Sequence, residues 1–487
     1  MRKRRDLTGG QYQPLTREEI HRLHEAALTI LERTGFGFDD SLDPLITDLE
    51  QGSVKIDWKK RCIYFPREFI TAHIAEAPNT VVLYSRDGRN DLLLEGNNVY
   101  FGTGGAAINV LDIETGLLRE TTLKDLYLIG RLADNLDHIH FFHRPCIPRD
   151  IPVESFDVNV YYACFKATTK HIMASAEDEA GLEEVIKLAQ LIAGDRESLK
   201  NRPFFSLVTS FAISPLKFNA HTVPIMLAAC KQNVPVTLSS APMGGMTSPI
   251  TMAGTLAQLH AEELAGIAVC QFFFPGAPVL YGGIPGVSEM RSMRYMGGAI
   301  ESGMMNSAIH QLSQHIGIPS YNTSGLTDSK LPDIQAGWEK ALSSLLVSMA
   351  GANYIHHSAG MLESMLTVAY EQYVLDNEIN ALCAKVLQGI IVDDAHLALD
   401  IIDQVGPGGN FMTAQHTLDY MYTEILNRYG ISDRSERNTW VKEGGRDARD
   451  RAHEMTRRLL EAEGRKTCID PKVDEQIRQR FRIYLEE

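Results

Sequence analysis

Apolar residues recur at Ile20, Leu23, Ala27, Ile30 and Leu31, the spacing of one helical face. They follow the capping box Thr16-Arg17-Glu18-Glu19 and precede Gly35. The pattern predicts an amphipathic helix there. Short strand-like runs come next, at Val81-Val82-Leu83-Tyr84, Leu92-Leu93-Leu94 and Asn109-Val110-Leu111. Asp87-Gly88 and Asp112-Ile113-Glu114-Thr115-Gly116 punctuate them as hairpin turns. This opening stretch reads as a small α+β region.

From Thr121 the pattern becomes an alternation of helical stretches and short apolar strands. Strands are predicted at Ile139-His140-Phe141-Phe142, His171-Ile172-Met173-Ala174, Phe204-Phe205-Ser206-Leu207-Val208, Pro235-Val236-Thr237-Leu238, Pro278-Val279-Leu280-Tyr281, Pro319-Ser320-Tyr321-Asn322 and Tyr354-Ile355-His356. Amphipathic helices fill the intervals, as from Ser248 through Phe273 and from Gln335 through Ala350. Such a series implies a parallel sheet closed by helices, with the eighth strand at Val99-Tyr100-Phe101. The expected class is α/β: a TIM (β/α)8 barrel over residues 121–390, an N-terminal α+β region over 1–120 packed on it, and a C-terminal helical extension over 391–487. The extension would serve as a peripheral cap or an oligomer contact.

The predicted strands run into glycine- and serine-rich segments: Thr209-Ser210, Ser239 to Gly245, Gly282-Gly283-Ile284-Pro285-Gly286, Thr323 to Lys330 and His357-Ser358-Ala359-Gly360. Any one of these is explained as a turn. Five in succession at the carboxyl ends of strands point to a pocket on the barrel rim. Tyr100, Tyr281, Tyr321 and His356 sit at predicted strand termini, with Phe101 and Tyr354 beside two of them. Ring faces hold a fixed ammonium charge at ~0.5–2 kcal/mol per ring, although each aromatic taken alone reads as core filler. Strand alternation allows one of His356 and His357 to face the interior, and His356 is the one expected there. Lys170 and Lys330 lie near strand ends, where a Schiff base is conceivable. Solvated surface lysine is the favoured reading for Lys170, and an ion pair with Asp328 competes for Lys330.

Composition narrows the classes further. The 487 residues are 44% hydrophobic and 22% charged, enough for a large core. A net charge of −15 argues against a nucleic-acid partner. The basic run Arg2-Lys3-Arg4-Arg5 reads as a solvated terminus, and no apolar run approaches a bilayer span, so a soluble cytoplasmic protein is expected. Seven scattered cysteines without a C-x-x-C pair fit reduced thiols and offer no local zinc-thiolate grouping, so no metal is expected. Phosphate-loop, H-E-x-x-H and G-x-S-x-G motifs are absent, and Gly102-Thr103-Gly104-Gly105 lacks the context of a dinucleotide fingerprint.

The run Gly325-Leu326-Thr327-Asp328-Ser329-Lys330, followed by Asp333-Ile334-Gln335-Ala336-Gly337-Trp338-Glu339, resembles the hallmark segment of the trimethylamine methyltransferase superfamily. Tyr100 to Gly105, Asp112 to Gly116, Ser248 to Gly254 with Ala261-Glu262, and His416-Thr417 extend the resemblance over nearly the whole chain. The resemblance implies a barrel that presents a substrate methyl group to the reduced cobalt of a separate corrinoid protein, in one-carbon metabolism such as methanogenesis. Members acting on trimethylamine carry pyrrolysine, whereas this chain has only the twenty standard residues. It is therefore similar to the non-pyrrolysine branch, whose members demethylate quaternary amines such as glycine betaine. No tightly bound cofactor is expected, since cobalamin would arrive on the partner, and the chain is a candidate homo-oligomer.

On this reading Tyr100, Phe101, Tyr281, Asn322 and His356 are the candidate substrate-binding residues. Asp328, Lys330 and Gln335 are the candidate rim-loop residues, Arg291 is a further partner for a carboxylate, and no catalytic residue is assigned. The competing readings are a zinc-dependent methyltransferase acting on another donor and a non-catalytic betaine-binding protein.

Overall fold

The computed structural model describes residues 7–426, 430–461 and 468–486, so the basic run at residues 2–5 lies outside the described residues. Eight parallel strands form the centre: β1 (Tyr100–Thr103), β2 (Phe142–His143), β3 (Ile172–Ala174), β4 (Phe205–Thr209), β5 (Val236–Leu238), β6 (Val279–Gly282), β7 (Ser320–Thr323) and β8 (Tyr354–Ala359). Strands adjacent in this order are adjacent in the sheet. β8 pairs back onto β1 with Tyr354 opposite Tyr100, and a bridge from Gly102 to Phe141 closes the ring. This is a TIM barrel, with the eighth strand where the sequence places it.

The two-residue period of the strands divides their side chains between two cores. Phe142, Ile172, Phe205, Leu207, Val236, Leu238, Val279 and Tyr281 face outward and join the large core beneath the helices. Met173, Leu280, Tyr321 and Tyr354 face inward with Phe141. The same inner cluster contains Val81, Leu83, Leu92 and Leu94, the buried side of the antiparallel hairpin Val81–Leu83/Leu92–Leu94. That hairpin plugs the amino end of the barrel and leaves the carboxyl end for chemistry.

Three local outcomes refine the sequence reading. The helix Arg17–Arg33 starts at the expected box, with Thr16 Oγ1 accepting from Glu19 N at 3.3 Å and Glu19 Oε2 accepting from Thr16 N at 2.8 Å. It packs on the outer side of the helix Met252–Phe273, which is consequently buried all round rather than amphipathic. The first barrel strand, Tyr100–Thr103, lies within residues 1–120 and overlaps the strand expected at Val99-Tyr100-Phe101. Lys170 is buried rather than solvated. Its ammonium donates to Ala133 O at 2.7 Å in the last turn of the helix Leu123–Asp134, and to Leu136 O at 2.9 Å and Ile139 O at 2.6 Å beyond it.

The C-terminal segment is helical, with Ala448–Glu461 and Pro471–Arg480 lying against the barrel. His453 Nδ1 meets Glu371 Oε1 at 2.8 Å, and Asp474 accepts from Lys166 at 3.1 Å. Among the described residues no helix is long and apolar enough to cross a membrane.

Candidate functional site

β2 ends on His143, and β8 carries His356 and His357 in succession. The His356 and His357 ring centroids lie 3.9 Å apart, and His143 lies 5.6 Å and 6.0 Å from them. Strict alternation would send one of the β8 pair outward, which is the expectation the structure overturns. Ile355 pairs with Phe101 but Ala359 with Thr103, so β8 bulges by two residues, and His357 adopts a left-handed φ of 59°. The bulge swings His357 back to the other two rings. Gly104 and Gly105 make the room: a Cβ on Gly104 would lie 2.4 Å from His357 Cδ2, and one on Gly105 2.4 Å from His143 Cε1.

All three imidazoles are buried and uncharged at neutral pH. Burial pushes His143 and His356 well below the ordinary histidine range, and pushes His357 down to about 3. Neighbouring imidazoles add to the effect on His143 and His356, as does Arg144 on His143. His356 Nδ1 meets the Tyr321 hydroxyl at 3.2 Å, under a Tyr321 ring stacked at 4.3 Å, and His357 Nδ1 meets Thr323 Oγ1 at 2.9 Å. His143 Nδ1 and His356 Nε2 are buried without a hydrogen-bond partner. Unpaired buried polar atoms gathered in one place mark a site that a ligand completes.

The loops above the histidines are tied to one another. Asp328 accepts from Gly297 N at 2.9 Å and Gly298 N at 3.3 Å, and also from the Ser364 hydroxyl. Glu339 accepts from Asp328 N at 2.9 Å and from Gln335 Nε2 at 2.9 Å, so Gln335 reaches the loop through Glu339. Lys330 does not pair with the Asp328 carboxylate, which the glycine amides and Ser364 occupy; its Nζ donates to the Asp328 carbonyl at 2.7 Å. Beneath them Lys340 and Asp376 form a buried ion pair at 3.2 Å. Lys340 also donates to Met361 O at 3.0 Å and to Gly325 O, and Asp376 accepts from Gly360 N at 2.7 Å. The pair thus joins the loop after β7 to the loop after β8.

Of the expected substrate-binding residues, the structure brings His356 to this centre and puts the others elsewhere. Tyr100 begins β1 at the plugged end, where its hydroxyl accepts from Leu93 N at 3.2 Å. Phe101 faces outward, packed with Val347, Ile355 and Leu387. Tyr281 also faces outward, its hydroxyl 2.7 Å from His260 Nδ1 on the helix Met252–Phe273. Asn322 donates to Asn306 O at 2.8 Å on the helix Ile300–Ile316. The cause is parity: neighbours on a strand face opposite sides, and Leu280 and Tyr321 hold the inward positions beside Tyr281 and Asn322. Arg291 is exposed on the turn between Gly286–Glu289 and Arg294–Tyr295.

His143, His357, Lys340 and Asp376 were missed. A histidine one residue past a predicted strand was a usable signal for His143. Nothing local marks Lys340 or Asp376, which meet only through the fold.

A profile of the family described as trimethylamine methyltransferase (MTTB) matches residues 4–484. The chain is 34% identical over 444 residues to "Trimethylamine methyltransferase MttB" of Desulfitobacterium hafniense, covering 91% of this chain and 88% of that protein. It is 32% identical over 466 residues to "Glycine betaine methyltransferase" of Desulfitobacterium hafniense, covering 95% of each. It is 30% identical over 465 residues to "Trimethylamine methyltransferase MttB" of Methanosarcina barkeri, covering 93% of this chain and 92% of that protein.

Proposed function

Since this chain belongs to the trimethylamine methyltransferase family, we propose that it is a methyltransferase that moves a methyl group from a betaine-type quaternary amine, such as glycine betaine, to the cobalt(I) of a separate corrinoid protein. The observation that carries this reading is the cluster of uncharged rings at the carboxyl end of the barrel, with buried nitrogens of His143 and His356 left unpaired.

A quaternary nitrogen is positively charged at every pH. When the bond to one methyl breaks, its electron pair returns to nitrogen and a neutral tertiary amine departs, so no proton donor is needed. The cobalt supplies the nucleophile that accepts the methyl. The chain's own task is to grip and aim the substrate in a dry site. Neutral imidazoles suit it, because their unpaired nitrogens can engage the carboxylate end of such a substrate. The Asp328, Glu339 and Lys340–Asp376 ties hold the loops in place above that substrate.

A partner must dock on the face where the barrel opens. Met246, Ile250, Met290, Met293, Ile334 and Trp338 are all exposed on segments that follow barrel strands, an apolar surface of the sort a protein partner covers. On the C-terminal segment, exposed Ile390, Met412 and Tyr422 offer a contact for a second copy of the chain.

The test is to mix the purified chain with a reduced corrinoid protein and a panel of methylated amines, reading the corrinoid spectrum and the demethylated product together. Glycine betaine should yield dimethylglycine with a matching spectral change. Tight betaine binding without turnover would make the chain a binding protein, and transfer from trimethylamine alone would overturn the substrate class.

A further inference from the structure

The geometry points to a divalent transition-metal site of the zinc class at His143, His356 and His357, with its fourth position open to an anionic oxygen ligand. The three side chains each offer a ring nitrogen, and these nitrogens lie within 4.8 Å of one another. It is the one such grouping among the described residues. A tetrahedral ion with metal–nitrogen bonds of ~2.0–2.1 Å separates its ligand nitrogens by about 3.3 Å, so ring rotations of about 1 Å close the site. No local pattern marks it, because His143 lies more than two hundred residues from His356 and His357, and His357 faces inward only through the bulge.

Four features separate this cluster from histidines packed as ordinary core. First, the three rings are buried and converge from two strands, with centroids 3.9, 5.6 and 6.0 Å apart. Second, His356 and His357 each engage a hydroxyl with Nδ1, Tyr321 at 3.2 Å and Thr323 at 2.9 Å. Metal-bound histidines are oriented in this way through the nitrogen turned away from the ion. Third, His143 Nδ1 and His356 Nε2 are buried ring nitrogens without a partner. Fourth, the chain tolerates a left-handed backbone at His357, a conformation that costs ~1–3 kcal/mol and persists where the surroundings demand it, and it keeps glycine at the two positions where a side chain would strike these rings.

The charges around the cluster select the fourth ligand. The full charges acting most directly on the rings are cationic, Arg144 on His143 and Lys340 on His357, with Lys340 itself paired to Asp376. Three neutral imidazoles leave the ion's double charge uncompensated, so an anion completes the site. Resting on the function proposed above, that anion is the substrate carboxylate, which would separate betaines from trimethylamine.

Metal binding is tested without any methyl donor. The full-length protein, stripped with a chelator, is titrated with zinc and with cobalt(II) ions by calorimetry and visible spectroscopy. One equivalent per chain should bind, cobalt(II) with the intense visible bands of four-coordination. His143→Ala and the size-conserving His356→Gln should abolish this, Tyr321→Phe should weaken it about 10- to 100-fold, and His396→Ala, at a half-buried histidine of the C-terminal segment that pairs with Asp393, should leave it unchanged. Circular dichroism identifies any variant that fails to fold. Absence of stoichiometric binding by the wild type, or equal binding by folded His143→Ala and His356→Gln, overturns the site even if methyl transfer succeeds. Glycine betaine should shift the cobalt(II) bands and trimethylamine should not. Bound cobalt(II) that is indifferent to betaine overturns the carboxylate assignment alone.

Discussion

Replacing Lys340 by methionine roughly preserves side-chain length and removes the ammonium that joins two loops of the site. In the wild type its Nζ lies 3.2 Å from Asp376 Oδ2, with both side chains buried. Removing one partner of a buried ion pair costs ~3–5 kcal/mol, because the other charge is left uncompensated. A second route gives a similar figure. Without the lysine, Asp376 can relieve itself by taking up a proton, and protonating a carboxyl of ordinary pKa 3.8 at pH 7 costs about 4 kcal/mol at 1.36 kcal/mol per unit.

The second route makes the penalty depend on pH in a definite direction. Burial already raises Asp376 above its ordinary value, and loss of Lys340 removes the principal charge opposing that rise. An acid whose folded pKa is raised binds its proton more tightly when folded. Its contribution is complete below the unfolded value and is lost as pH climbs toward the folded one. Lys340→Met should therefore lose about 3–4 kcal/mol at pH 7, and roughly 1.4 kcal/mol less for each unit down to pH 5. Urea midpoints at pH 5, 6 and 7, measured beside the wild type and Lys340→Met/Asp376→Asn, provide the assay. The double variant has no charge to strand and should recover part of the loss at pH 7. A penalty below about 1 kcal/mol at pH 7, or one that is flat across the range, would refute the reasoning.

Gly105→Ala places a Cβ 2.4 Å from the buried His143 ring and should lower kcat/KM for the amine at least about tenfold, at an overpacking cost of about 1–3 kcal/mol in a denaturation curve; a wild-type rate in the steady-state assay would remove His143 from the site. Tyr321→Phe frees His356 from its 3.2 Å contact and should impair methyl transfer. Tyr281→Phe, on the outer wall, should cost about 1 kcal/mol in a denaturation curve and leave the KM for the amine unchanged.

The barrel was legible because its strands and helices obey the periodicities a sequence displays. Val236–Leu238 and Val279–Gly282 alternate wall and interior as apolar runs should, and the helix Arg17–Arg33 begins at the capping box that announces it. Which face of a strand meets the interior was not legible. A shift of one residue exchanges Tyr281 for Leu280 and Asn322 for Tyr321, and both assignments satisfy the same hydrophobic pattern. Tyr281 and Phe101 therefore lie on the outer wall, whereas Tyr321 and Tyr354 face the interior.

The centre itself depends on departures from those periodicities. His357 reaches it only because β8 bulges, and alternation read along the sequence assigns that residue outward. Gly104 and Gly105 read as a loop or an imperfect nucleotide motif until the rings above them are in place. Lys340 and Asp376 lie on separate helices, and neither carries a sign of the other until the barrel brings them to 3.2 Å. Regular alternation builds a wall whose inward side chains pack against one another, as Met173, Leu280 and Tyr354 do. A cluster of rings with unpaired nitrogens requires that packing to be interrupted, so in this barrel the interruption at β8 is the better guide to the reacting end.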